Sequence, residues 1–358
     1  MRTMDSGRLR RLCLGLALAS LSPLAVSAAT HNPAPDVPGR FDTAVAAGLP
    51  AVISIGARDP AQTLATTPAH DELVVRRRIE SHSTYSDASP VELYDVQFRG
   101  RDAVALRHGT NLHITSIDDQ MLRSTAFKTG AEDPTEDALP VNGGAPQGAI
   151  DEEPAHESVE DLADDPADEE DSRDLHIFAF VHDDVRLNDD DIFARFFGWW
   201  IKRMEFDVLE DRRVHVHLRR NIPGVTQPSY GHKGALSQWI DVAREYLHPE
   251  LAPPSTIMHS RDILLVNGKS VEPGAAGIAN GQPGSYAMAS TVGSIAVPAH
   301  EIGHMLNASH GNAERRFTGP FSTCDTIMYP VDPTVLCKAY SLPNVDRIRR
   351  LMDYRRPR

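Results

Sequence analysis

The stretch that decides the fold is HEIGHMLNASH, which runs from His300 to His310. Its first two histidines, His300 and His304, stand four residues apart, so on a helix they lie one turn apart on the same face. Their imidazoles can therefore reach a single metal ion. Glu301 projects beside them, where it can hold a water molecule bound to that ion. The spacing predicts a helix that carries two metal ligands and one carboxylate.

A third histidine, His310, follows His304 by six residues and cannot lie on the same straight helix face. The chain must turn back between them, and Asn307 stands where the helix is expected to break. After glycine, asparagine best tolerates the left-handed backbone conformation that such a turn uses. Three imidazoles and one water form a tetrahedral zinc site with an open position. The stretch therefore predicts one catalytic Zn2+ ion.

A methionine, Met328, stands 18 residues after His310, within the segment CDTIMYP from Cys324 to Pro330. The pattern HExxHxxNxxH followed by an Ile-Met turn resembles the metzincin zinc peptidases, in which a methionine turn lies beneath the metal. The resemblance covers roughly residues 175–358. It implies zinc ligation by the three histidines, a general-base role for Glu301 and a hydrophobic floor formed by Met328.

The sequence departs from the family pattern at three places. Asn307 replaces a glycine, which the left-handed conformation tolerates. Gly311 follows the third histidine, where reprolysin-like members commonly have aspartate. Tyr329 directly follows Met328, whereas the zinc-binding tyrosine of astacins and serralysins lies two residues after the methionine. Tyr329 is therefore not assigned as a ligand.

The segments around the motif look most similar to the reprolysin-like (adamalysin-like) branch and its bacterial relatives. They are DILLVNG at 262–268, the glycine-rich run at 274–281 and VPAHE at 297–301. The glycine-rich run is interpreted as an edge strand, to which an extended substrate can add as a further strand. Gly277, Ile278 and Ala279 are the candidate substrate-binding residues, and this mode of binding favours cleavage within a polypeptide.

Apolar runs alternate with helical patterns from Leu175 onward, which predicts an α/β fold with a mixed sheet. The predicted strands are 175–181, 214–218 and 263–266, and the predicted helices are 192–206, 232–247, 291–306 and 344–354. Trp199 and Trp200 fall on a helix and are predicted to be core residues. The resemblance implies that 175–358 is a metzincin-like catalytic domain with a mixed twisted sheet, a zinc-binding active-site helix, a Met-turn and a C-terminal helix.

Two further histidines, His215 and His217, point to the same face of the predicted strand 214–218. Side chains at alternate positions of a strand share one face, so both rings could contact a second metal. Ordinary strand-surface side chains are the commoner outcome for this pattern, and that interpretation is favoured here.

The chain before Leu175 has a different character. Apolar and polar side chains alternate between turn clusters from Glu72 to about Phe127, which predicts a β-rich N-terminal domain over residues 29–130. Residues 131–174 hold 17 Asp and Glu, one basic residue and no aromatic residue, which predicts a disordered acidic linker. Because this segment carries −16 and the whole chain −14, the remaining residues sum to +2. No strongly basic face is implied, so nucleic acid is not an expected partner.

The first 28 residues have the pattern of an export signal. Arg2, Arg8, Arg10 and Arg11 precede an apolar run from Leu12 to about Val26, and small residues follow it at 26–28. The alternative is an uncleaved membrane anchor. No later stretch approaches 18 apolar residues, so no integral membrane span is expected after signal removal. We expect a secreted or periplasmic protein.

Only Cys324 and Cys337 remain once the predicted signal is removed. An even pair of cysteines in an exported chain predicts one disulfide bond. Two free thiols are the alternative, since sequence spacing cannot show whether the side chains meet.

Together these features predict an exported zinc-dependent endopeptidase that hydrolyses polypeptide substrates. Its N-terminal domain is expected to be a pro-domain that inhibits or helps to fold the peptidase, with a permanent binding domain as the alternative. The rival function is a catalytically weak metzincin-like zinc-binding domain that acts as a protein-binding module. The presence of Glu301 argues against that rival, because an inactive descendant would be expected to lose this residue.

Overall fold

An antiparallel sheet of seven strands forms the N-terminal part of the chain. The computed structural model describes residues 36–55, 72–117, 121–130, 134–140, 174–247, 259–320, 322–330 and 335–353. Each strand pairs with the next one along the chain. In order they are β1 Ala51–Ser54, β2 Glu72–Ile79, β3 Glu92–Phe98, β4 Arg101–His108, β5 Asn111–Ile117, β6 Met121–Lys128 and β7 Thr135–Pro140.

One face of this sheet is covered by helix α1, Val37–Ala47, which begins after the capping carboxylate of Asp36. Phe41 of the helix is fully buried and meets Tyr94 edge to face, with ring centroids 5.0 Å apart. The sheet corrects one sequence-based boundary. Strand β7 occupies residues 135–140, which the acidic composition had assigned to the linker. It forms because β6 supplies a complete backbone partner along its length.

A second sheet of five strands begins at Leu175, as the apolar runs predicted. Its members are β8 Leu175–Val181, β9 Val214–Arg220, β10 Ser260–Val266, β11 Gly277–Ala279 and β12 Tyr286–Ser290. The spatial order is β11-β12-β10-β8-β9, and every pair is parallel except β11 with β12. The sheet is therefore mixed, and its short antiparallel strand lies at one edge.

Among the described residues, four longer helical segments and one 3-10 turn, His310–Asn312, accompany the second sheet. Segment α2 comprises Asp189–Ile192, Phe193–Phe197, Gly198–Arg203 and Met204–Val208, with π-helical turns in its second and fourth parts. The others are α3 Ala235–Leu247, α4 Val297–Met305 and α5 Leu342–Met352. Helix α4, predicted to start at Thr291, starts six residues later. Gly293 has φ 123°, which is incompatible with a right-handed helix, and Pro298 stands in its first turn.

The two sheets share a buried core, and all described residues belong to one compact unit, Ala34–Arg358. Leu93 and Val104 of the first sheet join Phe193, Phe197 and Trp200 of α2 in one apolar cluster. Trp199 and Trp200 are buried, as predicted. Lys202 adds ion pairs to Asp95 and Asp102 across the junction, each at 2.7 Å.

The far edge of the second sheet is extended by a segment that follows β2. The Thr84 N–H donates to the Val216 carbonyl at 2.9 Å, and the Leu218 N–H donates to the Thr84 carbonyl at 3.0 Å. The N-terminal part thus pairs with β9, at the edge opposite to β11.

Within the described part of the chain, no helix has both the length and the apolar character needed to cross a membrane. The predicted signal, residues 1–28, lies outside the described residues, and so does most of the predicted acidic linker, residues 141–173. The predictions for both segments therefore stay predictions.

Candidate metal centre

The three histidines of the motif converge on one point. The Nε2 atoms of His300 and His310 are 2.9 Å apart, those of His300 and His304 3.2 Å, and those of His304 and His310 3.1 Å. A tetrahedral zinc ion with Zn–N bonds of about 2.0–2.1 Å would hold neighbouring nitrogens about 3.3 Å apart. In the described part of the chain these three are the one group of His, Cys, Asp and Glu side chains arranged to hold a metal. The arrangement fits zinc.

The protonation states of two of these rings suit metal binding. The Nδ1 atom of His300 lies 2.8 Å from the Ile327 carbonyl, so it carries the proton and leaves the Nε2 lone pair facing the cluster. Burial, reinforced by the neighbouring His304 and His310, lowers the pKa of His300 well below its usual range. Burial and His310 lower the pKa of His304 to about 4. Neutral imidazole is the form that binds a metal.

The break in α4 has the geometry that the sequence predicted. Asn307 adopts φ 72°. The Ala308 N–H donates to the Gly303 carbonyl at 2.8 Å, and the Asn307 N–H donates to the His304 carbonyl at 2.9 Å. These two bonds form a Schellman motif, which ends the helix and reverses the chain. The reversal brings His310 back to the ligands on α4.

Glu301 lies beside the histidines and is 2% exposed. A Cβ atom placed on Gly277 of β11 would lie 2.4 Å from its Oε1, so the carboxylate packs directly against the edge strand. Burial alone raises the pKa of Glu301 to about 8. A nearby cation would favour the ionised form and lower this pKa again.

The Met328 side chain is fully buried and packs against α4. A Cβ on Gly303 would lie 2.4 Å from its Sδ and 2.9 Å from Cε1 of Tyr340, so only glycine leaves room for both. The Tyr340 hydroxyl donates to the Ala299 carbonyl at 2.7 Å. Gly303 and Tyr340 are not among the residues predicted from sequence, although a glycine inside a helical pattern is a recognised signal of close packing.

Cys324 and Cys337 are joined by a disulfide bond, as predicted, and enclose Met328. Cys324 lies on β14, Ser322–Asp325, which forms a hairpin with β13, Arg315–Gly319. The Tyr329 ring faces the Arg315 guanidinium, whose central carbon is 5.0 Å from the ring centroid. That Tyr329 is not a metal ligand stays a prediction.

The predicted edge strand is present as β11. Gly277, Ile278 and Ala279 pair with Ala289, Met288 and Ala287 of β12. In the part of the chain that the structure describes, β11 is an outer strand, so one side of its backbone has no neighbouring strand of that sheet. The role of these three residues in substrate binding stays a prediction.

Among the described residues, His215 and His217 belong to no group of side chains arranged to hold a metal. His215 Nδ1 accepts from the His82 N–H at 2.8 Å, so its Nε2 carries the proton and faces Asp174 at 3.2 Å. His217 Nδ1 lies 3.1 Å from the Thr84 hydroxyl. Both rings instead join the second sheet to the segment after β2.

Comparison with known proteins finds similarity in structure only. No protein-family model and no curated protein sequence matches this chain. The fold is similar to the crystal structure of metalloproteinase-II from Bacteroides fragilis, with a TM-score of 0.56 and 14% sequence identity. The similarity covers 79% of this chain and 88% of that one. It therefore extends beyond the half of the chain after Leu175, and it supports a metalloproteinase fold.

Proposed function

We propose that this protein is an exported zinc-dependent endopeptidase of the metzincin type, in its reprolysin-like branch. The observation that carries the proposal is the triangle of three Nε2 atoms, 2.9–3.2 Å apart, beside the buried carboxylate of Glu301. The fold similarity to a bacterial metalloproteinase supports it.

His300, His304 and His310 would hold the zinc, with Met328 packed beneath the helix. Bound zinc would polarise the scissile carbonyl and acidify the attacking water. Glu301 would take the proton from that water and deliver it to the leaving nitrogen. Its close contact with Gly277 would fix the carboxylate between the edge strand and the ligands.

Strand β11 supports a preference for extended polypeptide substrates. Its outer edge could pair with a substrate backbone, and such pairing would hold an extended chain with the scissile bond near Glu301. Internal peptide bonds are therefore the proposed target.

The N-terminal sheet is proposed to help the peptidase fold and to hold it inactive until the acidic segment is cut. The shared buried cluster supports the folding role. Restraint by a cysteine on zinc is excluded, because residues 29–174 contain no cysteine. Inhibition would come from an N-terminal segment that blocks the active-site cleft, or from an Asp or His side chain of that region that reaches the metal. A permanent N-terminal domain is the alternative.

A binding module with a structural zinc is the second candidate, and hydrolysis of casein separates the two. The proposal requires casein cleavage that phenanthroline abolishes and added zinc restores. A protein that binds one zinc but leaves casein intact would support the binding module. His310→Ala should lose zinc affinity, and full zinc retention would place the third ligand elsewhere.

A further inference from the structure

The segment Asn307–Ser309 links the Schellman turn to His310 and is held from outside by three side chains. Arg347 Nε donates to the Asn307 carbonyl at 2.6 Å. Gln282 donates to the Ala308 carbonyl. Asn344 Nδ2 donates to the Ser309 carbonyl at 3.1 Å. Three consecutive carbonyls thus each accept a hydrogen bond from a side chain distant in sequence.

Two of these side chains come from helix α5. Arg347 also donates from Nη2 to the Oδ1 atom of Asn307 at 2.7 Å, so it grips this residue through both its backbone and its side chain. Asn344 also accepts the Ser309 N–H on Oδ1 at 2.8 Å, so it satisfies both backbone groups of Ser309. Residues three apart lie on the same face of a helix, which lets α5 hold both ends of the segment at once.

The contact of Asn344 with Ser309 and the contact of Arg347 with Asn307 both have features expected of a positioning role. Asn344 is fully buried, so its amide gains no compensation from water if Ser309 moves. Asn307 occupies the left-handed conformation at φ 72°. Glycine at this position would offer the arginine only a carbonyl, whereas asparagine adds a second acceptor.

We propose that Asn344 and Arg347 are positioning residues for the metal centre: they fix the 307–309 segment so that His310 meets the two ligands on α4. This inference rests on the proposed zinc site. It assigns the C-terminal helix a part in setting metal affinity, and it explains why asparagine stands where the family pattern has glycine.

The test is zinc affinity, measured by competition with a chromophoric chelator on the full-length protein at 10 °C. Arg347→Ala and Asn344→Ala should each weaken zinc binding about 10-fold to 100-fold, the range found when partners that orient metal ligands are removed. The visible absorption of the cobalt-substituted protein should also change, because the ligand geometry changes. Arg350→Ala is the matched control: Arg350 is an exposed residue of the same helix whose Nε donates to the Asp346 carbonyl of α5 itself.

More conservative substitutions keep the test decisive if replacement by alanine prevents folding. Arg347→Lys retains the charge but lacks the planar guanidinium, whose separate Nε and Nη2 atoms each donate to one acceptor of Asn307, so an intermediate loss is expected. Asn307→Gly keeps the turn, since glycine adopts positive φ without steric cost, but removes one acceptor. Arg347→Ala should therefore cost less in the Asn307→Gly background than in wild type.

The outcomes separate this inference from the proposed function. If wild type binds no zinc, both are wrong. If wild type binds zinc and the folded variants remain within threefold of it, with unchanged cobalt spectra, the zinc site stands and the positioning role is wrong. The same conclusion follows if the variants lower only the melting temperature of the metal-free protein. Weaker zinc binding with an altered cobalt spectrum and native circular dichroism supports the inference.

Discussion

Replacement of Gly277 by alanine tests whether the edge strand fixes the proposed base. The added Cβ would lie 2.4 Å from Oε1, 2.6 Å from Cγ and 2.7 Å from Cδ of Glu301. Ordinary non-bonded separations between carbon atoms are about 3.5–4.0 Å. Either the carboxylate or the strand must therefore move by about 1 Å.

A shift of about 1 Å at a reacting group can cost about 100-fold in rate, which corresponds to about 2.7 kcal/mol of activation free energy. We expect kcat for an internally quenched peptide to fall by about this factor in Gly277→Ala. The zinc content should stay at one ion per chain, because the substitution touches none of the three histidines.

Gly311→Ala is the matched control for this measurement. Gly311 directly follows His310, yet a Cβ there would meet nothing within 4 Å, and its φ is not in the left-handed region. The control should retain both activity and zinc. A Gly277→Ala protein with kcat within threefold of wild type would show that β11 does not position Glu301 for catalysis.

Three further predictions concern stability and maturation. Gly303→Ala should lower stability by about 1–3 kcal/mol through overpacking against Met328 and Tyr340, and an unchanged melting temperature would contradict the close contact. Burial and the neighbouring His176 lower the pKa of His217 to about 3, from about 6.5 in the unfolded chain. The unfolded state thus binds more protons between these values, so stability should fall as the pH drops through this window, by about 2 kcal/mol at pH 5 relative to neutral pH. The free energy of unfolding in urea should change less with pH in His217→Asn than in wild type. An equal change in the two proteins would contradict the assignment of this pH dependence to His217. Removal of the region before about Leu175 on maturation stays a prediction. A zinc-loaded species that starts near this residue should cleave peptides faster than the intact protein. Equal rates, with no short form in the culture medium, would mean that the N-terminal sheet is a permanent domain.

The histidine cluster could be predicted from sequence because its geometry is local. The i, i+4 spacing fixes His300 and His304 on one helix face, and Asn307 marks the turn that returns His310. The disulfide between Cys324 and Cys337 could be predicted for a different reason, because only two cysteines remain after the predicted signal. The edge strand at β11 also agrees with the interpretation of the glycine-rich run 274–281.

Contacts between segments distant in sequence could not be predicted. Arg347 and Asn307, which are joined by hydrogen bonds, are 40 residues apart in sequence, and no spacing rule connects α5 to the turn before His310. Strand β7 was missed because its acidic composition indicates disorder. Backbone pairing with β6 outweighs that local tendency.

Glu301→Gln is the measurement that tests the central claim most directly. The substitution preserves the shape of the side chain and all three proposed ligands, but it removes the ability to carry a proton. We predict one zinc ion per chain, an unchanged fold, and a fall in kcat/KM of about 10²- to 10⁴-fold on an internally quenched peptide. A zinc-loaded Glu301→Gln protein that retains activity within tenfold of wild type would contradict the assignment of Glu301 as general base.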